Sequence, residues 1–400
     1  MEDVKFAHIA DCHLGAWRDQ KMRALSEQCF SDAIDITLAE KVDFVILAGD
    51  LFNTAIPNID SLKLAAEKLK LLADANIPVY GVAGSHDYSA TGKSMLEVLE
   101  KAKLFTNVMK GDVIDNKLLL HWVTDKKTGI KITGILGKRN TLESKYYDQL
   151  DRDSILNESG SKIFVFHSGI KELFPEMSET PLSFLPKGCS YYAGGHIHSR
   201  CSEIISGYGQ ITYPGPIFPN SFSELETLQA GSFVIVKNLV PRFVELKPKK
   251  IHVLEIHAKH TPAKDIESQI SSLDGIADHI ILLRITGITE GQIDFAQVYE
   301  QLYEKGAYHI LRNTSGLNVP EVVLTDKKVT DIDNVEKEVI NEHVAQSFLT
   351  TIDGKEVLLE KQKQKIHDLL HTLATEKLDG ETTTDFEDRI FKEYIHNDFS

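Results

Sequence analysis

Five short stretches of this chain share one design: an apolar run that stops abruptly at aspartate, histidine or a small oxygen-bearing side chain. They are A-D-C-H (10–13), A-G-D-L-F-N (48–53), A-G-S-H-D (83–87), F-H-S-G (166–169) and G-G-H-I-H-S-R (194–200). A short apolar run punctuated by glycine reads as a buried strand. Strand ends of an open sheet converge on one edge, so residues far apart in sequence can meet there. The chain is therefore expected to gather Asp11, His13, Asp50, Ser85, His86, His167, His196 and His198 on one rim.

Imidazole and carboxylate together suit first-row divalent ions such as manganese, iron or zinc. Six strong donors (Asp11, His13, Asp50, His167, His196, His198) exceed what one tetrahedral ion needs. Two ions about 3.5–4 Å apart that share a carboxylate account for the surplus. The D-x-H and H-x-H pairs carry the most weight, because alternate strand positions point to the same side. An isolated histidine at a strand is ordinarily satisfied by its own core, the fate expected of His8.

The first 240 residues alternate strand and helix. Strands are expected at 4–9, 42–48, 77–82, 113–122, 131–136, 162–167, 191–194, 203–206, 210–213, 231–237 and 242–246. Helices are expected at 21–40, 60–74 and 93–103. An α/β beginning that turns strand-rich points to two stacked sheets with helices outside. K-P-K-K (247–250) marks a boundary. Beyond it, strands at 251–258, 279–286 and 307–313 and helices at 263–273 and 292–304 make a small α+β unit. N-T-S-G-L-N-V-P (313–320) is loop chemistry. Helices near 333–350, 354–376 and 383–396 fill the tail, with Asp379-Gly380 as a turn.

Composition narrows the setting. The chain has 400 residues, 42% hydrophobic and 26% charged, which suggests two or three domains. Cys12, Cys29, Cys189 and Cys201 form no C-x-x-C pair, which fits a reducing compartment and speaks against a cysteine–zinc site. The N-terminus does not read as a signal peptide, and no apolar run approaches a bilayer span. A cytoplasmic or nucleoid-associated protein is expected. The net charge of -15 points away from a generally basic nucleic-acid binder. About half of it sits in the tail, where residues 326–400 carry 18 acidic and 10 basic side chains. A metal site brings its own positive charge, so a phosphate substrate is not excluded.

The motifs, in this order, resemble the calcineurin-like metallophosphoesterase superfamily. H-I-A-D-C-H-L-G (8–15), L-A-G-D-L-F (47–52), Y-Y-A-G-G-H-I-H (191–198) and P-R-F-V-E (241–245) resemble the double-strand-break repair nucleases of the SbcD type. The resemblance covers residues 1–246 by motif, the second unit by position and pattern, and the tail by character. It implies an α+β fold: a four-layer αββα metallophosphoesterase sandwich with a small α+β capping domain and a C-terminal helical region. The implied domains are a nuclease core (1–246), a DNA-capping domain (250–325) and a helical partner-binding tail (326–400).

The resemblance also implies roles. Asp11, His13 and His198 would hold one metal, Ser85, His167 and His196 the other, and Asp50 would bridge them. His86 would be catalytic, assisting the transition state or the leaving group, and not a ligand. Two manganese ions are the expected cofactors. The implied reaction is hydrolysis of DNA phosphodiesters, as an exonuclease on duplex ends and an endonuclease on single strands or hairpins. The family usually has asparagine where this chain has Ser85, whose hydroxyl is a shorter and weaker donor. It would bind directly, through water, or serve only the turn.

Arg18, Lys93, Lys138, Arg139 and Arg200 lie in loops near the motif ends and are candidates for phosphate contact, though each alone is ordinarily a solvated charge. The resemblance implies a homodimer formed through helices carrying Leu62, Leu64, Leu69, Leu72, Leu96, Val98 and Leu99; the same leucines could instead pack on their own sheet. Leu359, Ile366, Leu370 and Leu373 recur at helical spacing in the tail. There the family grips its coiled-coil ATPase partner of the SbcC class. Two rivals stand beside the nuclease reading. One is a related phosphoesterase acting on a small phosphoester. The other is a DNA-end tethering scaffold whose catalysis is weakened by Ser85.

Overall fold

The computed structural model describes residues 4–89, 93–137, 144–178 and 180–318, together with Phe386 and Arg389. Residues 1–320 form one compact unit. Two six-stranded sheets lie at its heart. One runs in the order Val240–Leu246, Gly231–Lys237, Lys5–Ile9, Phe44–Ala48, Val79–Val82, Thr106–Asn107. The other runs Cys201–Ile204, Gln210–Tyr213, Tyr191–Gly195, Lys162–His167, Lys131–Ile135, Val123–Thr124.

Side-chain alternation explains the stacking. Along Phe44–Ala48, Phe44, Ile46 and Ala48 enter one apolar cluster, while Val45 and Leu47 enter another. In the second sheet, Ile163 and Val165 join the cluster of Phe44, and Phe164 and Phe166 face away. Successive strand residues point to opposite faces, so the shared cluster is the layer between the sheets. The helices Gln20–Ala39 and Ile59–Asp74 cover the first sheet with Met22, Leu25, Cys29, Leu69 and Leu72. Tyr147 and Ile155, from the short helices Ser144–Gln149 and Arg152–Asn157, cover the second. The architecture is the expected αββα sandwich.

The helices begin where sequence chemistry says they should. Asp19 and Asn58 accept the N–H groups of Met22 and Ser61, satisfying donors that a first turn leaves free. The central strands are buried on both faces and so read as unbroken apolar runs. Lys5–Ile9, Phe44–Ala48 and Val79–Val82 are parallel, as are Lys162–His167 and Tyr191–Gly195. Each of these five carboxyl ends leads into one of the five motifs.

Three expectations need correction. Residues 313–318, expected as loop, instead complete the strand His309–Asn318, where pairing with its neighbour overrides the loop-forming composition. Residues 113–122 are not one strand but a hairpin, Gly111–Ile114 against Lys117–Leu120. Asp115 and Asn116 turn it with φ of 48° and 62°, the left-handed pair that a tight hairpin favours. The helix expected at 93–103 is only Leu96–Lys101. The helices at 144–149, 152–157 and Phe222–Leu228 went unforeseen, being too short for a repeating apolar face.

After residue 250 comes a second, three-stranded parallel sheet of Lys250–Pro262, His279–Glu290 and His309–Asn318. The helices Ala263–Ser271 and Phe295–Glu304 connect its strands, and their Ile266, Ile270, Val298 and Leu302 build its own core. Its other face places Ile280 and Leu282 in the helix-side cluster of the first sheet. Arg284 grips Glu226 with two nitrogens, Nε to Oε1 at 2.7 Å. The tail helices expected at 333–350, 354–376 and 383–396 lie outside the described residues, apart from Phe386 and Arg389, both helical.

Lys162 is 4% exposed and donates to the carbonyls of Ile155, Leu156 and Glu158 at 2.7, 3.2 and 2.6 Å. It closes the carboxyl end of the Arg152–Asn157 helix. Lys162→Met keeps the stem and removes the charged donor. It should lower unfolding free energy by about 2 kcal/mol, since hydrogen bonds to charged groups are worth roughly 1.5–3 kcal/mol. Calorimetry checks this; an unchanged melting temperature would refute it.

Candidate metal centre

The backbone is bent hard where the motifs leave their strands. Asp11, His13, Asp50 and His196 all have positive φ, at 52°, 44°, 52° and 84°. Non-glycine residues occupy this region at a cost of roughly 1–2 kcal/mol each, and such strain gathers at functional sites. Gly49 completes the bend at φ 87°, and a Cβ there would sit 2.2 Å from His167 Nδ1. At Gly84 a Cβ would sit 2.2 Å from Asp50 Oδ1. The glycines of A-G-D and A-G-S-H-D thus let backbone close directly onto functional side chains.

Asp50 is the hub. Its Oδ2 lies 3.2 Å from His167 Nε2, 3.6 Å from His13 Nε2 and 3.4 Å from Ser85 Oγ. Its Oδ1 accepts the His86 N–H at 2.8 Å. Asp11 accepts the His196 N–H with both oxygens, at 3.0 and 3.1 Å, and lies 3.9 Å from His198 Nε2. That bond ties a loop of one sheet to a loop of the other. Among the described residues, three ligand groups result: Asp11, His13 and His198; Asp11, Asp50 and His167; His13, Asp50 and His86. Each group shares a carboxylate or an imidazole with the next.

Carbonyls fix the tautomers. His167 Nδ1 lies 2.8 Å from the Ala48 carbonyl, and His86 Nδ1 lies 2.9 Å from the Asn53 carbonyl. A carbonyl only accepts, so both Nδ1 atoms carry the proton. His167 Nε2 is then left buried with no hydrogen bond, facing Asp50 Oδ2. Either a proton on Nε2 or a metal cation can join the two atoms across 3.2 Å. Burial lowers the His167 pKa, but Asp50 outweighs burial and holds it at about 10. Burial lowers His13 to about 4, which makes it a neutral donor at pH 7. Burial raises Asp11 to about 6 against the pull of His167 and His198. Among the described residues, the ion-pair partners of Asp11 and Asp50 are all histidines. This donor set fits divalent cations.

Ser85 is buried with its hydroxyl on the hub carboxylate. His196 lines a cavity together with His13, Asp50, His86 and His198 and packs edge-on against His167, with ring centroids 5.2 Å apart, but falls in none of the three groups. His8 is wholly buried, 3.0 Å from the Tyr191 hydroxyl, as a core histidine should be. Arg18 and Lys93 are exposed. Arg200 donates to the Gly231 carbonyl at 3.0 Å and reaches Glu245 at 3.5 Å. Lys138 and Arg139 lie outside the described residues.

Two carboxylates were missed. Asp87 is fully buried and accepts the N–H groups of Gly84 and Phe52 at 2.9 and 3.0 Å, clipping together the loops that carry Asp50 and Ser85. It stands in plain view beside His86. Glu224 takes His198 Nδ1 at 3.0 Å on Oε1 and the Asn220 N–H at 2.9 Å on Oε2. Its signal was S-x-x-E at 221–224: Ser221 accepts the Glu224 N–H, the start of a capped helix.

Residues 4–200 match the family described as Calcineurin-like phosphoesterase. The chain is similar to proteins named DNA double-strand break repair protein Mre11 from three archaea. That of Archaeoglobus fulgidus is 30% identical over 302 residues, 69% of this chain and 66% of that protein. That of Methanococcus maripaludis is 29% identical over 233 residues, 56% and 59%. That of Sulfolobus acidocaldarius is 31% identical over 219 residues, 53% and 54%. The chain spans between about half and about two thirds of these relatives' length.

A carboxylate that orients a metal-binding imidazole ordinarily contributes about 10–100-fold to metal affinity. Glu224→Gln should therefore weaken divalent-cation binding at the group Asp11, His13 and His198 by about tenfold or more while the protein stays folded. Titration calorimetry checks this; unchanged affinity would separate Glu224 from the centre.

Proposed function

We propose, from the match of residues 4–200 to the family described as Calcineurin-like phosphoesterase, that this chain is a metal-dependent DNA nuclease subunit of a double-strand-break repair complex. The observation that carries the reading is the hub at Asp50, where one carboxylate oxygen faces His167, His13 and Ser85 within 3.6 Å. A carboxylate so placed is suited to bridging two cations.

In this reading Asp11, His13 and His198 hold one ion, and Ser85, His167 and His196 hold the other. Manganese is the ion proposed. Two divalent ions supply, when bound, charge stabilisation on the phosphate and a nucleophilic water at neutral pH. The chain's own part is positioning. Asp11 and Asp87 lock the loops, Glu224 turns His198, and the carbonyls of Ala48 and Asn53 set the tautomers of His167 and His86. His86 presents Nε2, its unengaged nitrogen, and can hold or deliver a proton at the leaving oxygen.

The domain roles follow the same reading: a nuclease core at 1–246, a DNA-capping domain at 250–325 and a tail at 326–400 that docks a coiled-coil ATPase. Duplex ends, single strands and hairpins are the proposed substrates. A homodimer is favoured by apolar side chains left exposed beside the Ile59–Asp74 and Leu96–Lys101 helices, namely Ile59, Leu71 and Val98. Leu69, Leu72, Leu96 and Leu99 are buried in the chain's own core and take no part.

Digestion of a linear duplex labelled at one end should require manganese and stop on chelation. His86→Ala should slow it by about a hundredfold or more, the usual weight of a general acid, while manganese still binds. No cleavage with manganese present would overturn the nuclease reading. Ser85 has a shorter reach than asparagine, so metal titration should show two separated affinities that Ser85→Asn brings together. Equal, tight binding of both ions in the unmutated protein would refute that.

A further inference from the structure

The helix Phe222–Leu228 is held on three sides. Each helical residue is turned by about 100° from the last, so Phe222 and Glu226 share one side, Glu224 looks roughly the opposite way and Leu225 lies between. Arg284, from the middle strand of the small parallel sheet, takes the first side. Its Nε donates to Glu226 Oε1 at 2.7 Å, a second nitrogen reaches Glu226 Oε2, and its guanidinium carbon lies 5.2 Å from the centre of the Phe222 ring. Leu225 is buried in the helix-side cluster of the first sheet. Glu224 takes the third side, with Oε1 3.0 Å from His198 Nδ1.

Arg284 is not what docks the small sheet. Ile280 and Leu282 bury themselves in the helix-side cluster. Farther along, Lys21 Nζ donates to the Tyr308 carbonyl at 2.9 Å, and His309 Nε2 lies 3.4 Å from Asp19 Oδ2. The Arg284 and Glu226 side chains are 24% and 20% exposed, and an ion pair that water reaches adds little to folding. What a guanidinium fork does supply is direction. Two nitrogens on one carboxylate, with the guanidinium also over the Phe222 ring, resist both sliding and rotation of the helix. A metal-binding imidazole is aimed by the partner of its other nitrogen. His198 Nε2 lies 3.2 Å from His13 Nε2 and 3.9 Å from Asp11 Oδ1, so whatever aims Glu224 aims His198 at that group.

We propose that Arg284 is a positioning residue for the metal centre. Through Glu226 it fixes the rotation of the Phe222–Leu228 helix, which fixes Glu224 and, through it, His198. The small sheet thereby sets how tightly Asp11, His13 and His198 hold a cation, although none of its residues belongs to that group. The inference rests on the reading of these three residues as a cation group.

The test titrates the full chain with manganese alone by calorimetry, following the binding step that His198→Ala removes. Arg284→Met should weaken that step by about three- to tenfold, less than the roughly 10–100-fold of a direct carboxylate partner. In a Glu224→Gln background the same change should move it by less than about twofold, because the path is already cut. Exchanging the pair, Arg284→Glu with Glu226→Arg, should restore most of the affinity. Melting curves should nearly coincide; should Arg284→Met fold poorly, the isosteric Glu226→Gln should show the same loss. Unchanged affinity in a folded variant of either residue, an equal loss in the Glu224→Gln background, or an exchange that restores nothing would overturn the positioning role and leave the cation group standing. An unmutated protein that binds no manganese would overturn both.

Discussion

Electrostatics at one rim governs this molecule. Asp11, Asp50 and Asp87 are buried within a few residues of one another's loops, and no lysine or arginine among the described residues neutralises them. Burying a carboxylate without a counter-charge is expensive, and the chain meets the cost with imidazoles. The Nδ1 proton of His167 is fixed by the Ala48 carbonyl, which turns Nε2 toward Asp50. The donor set fits divalent cations. The rest of the sandwich can be understood as the frame that holds these charges at fixed separations.

That frame is stiff where it needs to be. Four residues bearing site side chains adopt left-handed backbone, and the glycines beside them leave no room for a side chain. Asp11 fastens the His196 loop of one sheet to the Asp11 loop of the other, and Asp87 fastens the two loops that carry Asp50 and Ser85. The Phe222–Leu228 helix does three things in seven residues. Glu224 orients His198, Glu226 pairs with Arg284 of the small parallel sheet, and Thr227 and Leu228 line the cavity. A substitution in the small sheet thus has a short mechanical path to the metal centre.

Much of this was legible in the sequence. Apolar runs such as F-V-I-L-A and K-I-F-V-F-H can be little else than buried strands, and the Asp and His residues at their ends can be named without coordinates. The hairpin at 111–120 was misread because Lys117–Leu120 continues the apolar pattern of Gly111–Ile114, and only the left-handed pair Asp115-Asn116 breaks it. Short helices such as Phe222–Leu228 have too few turns to show a face. Glu224 escaped notice for that reason, although its capping motif was present.

The sequence alone determined the inventory: which side chains can bind a cation, and that they lie at strand ends. Local pattern suffices there, because burial and strand formation depend on neighbours along the chain. Tertiary structure alone decided the pairings. That Asp50 rather than Asp11 faces His167 most closely, that Asp87 is a clip, that Arg200 is committed to Gly231, and that Met177 borders the cavity all depend on how two sheets are stacked. Such contacts join residues dozens to nearly two hundred positions apart, and no periodicity along the chain encodes a distance between them.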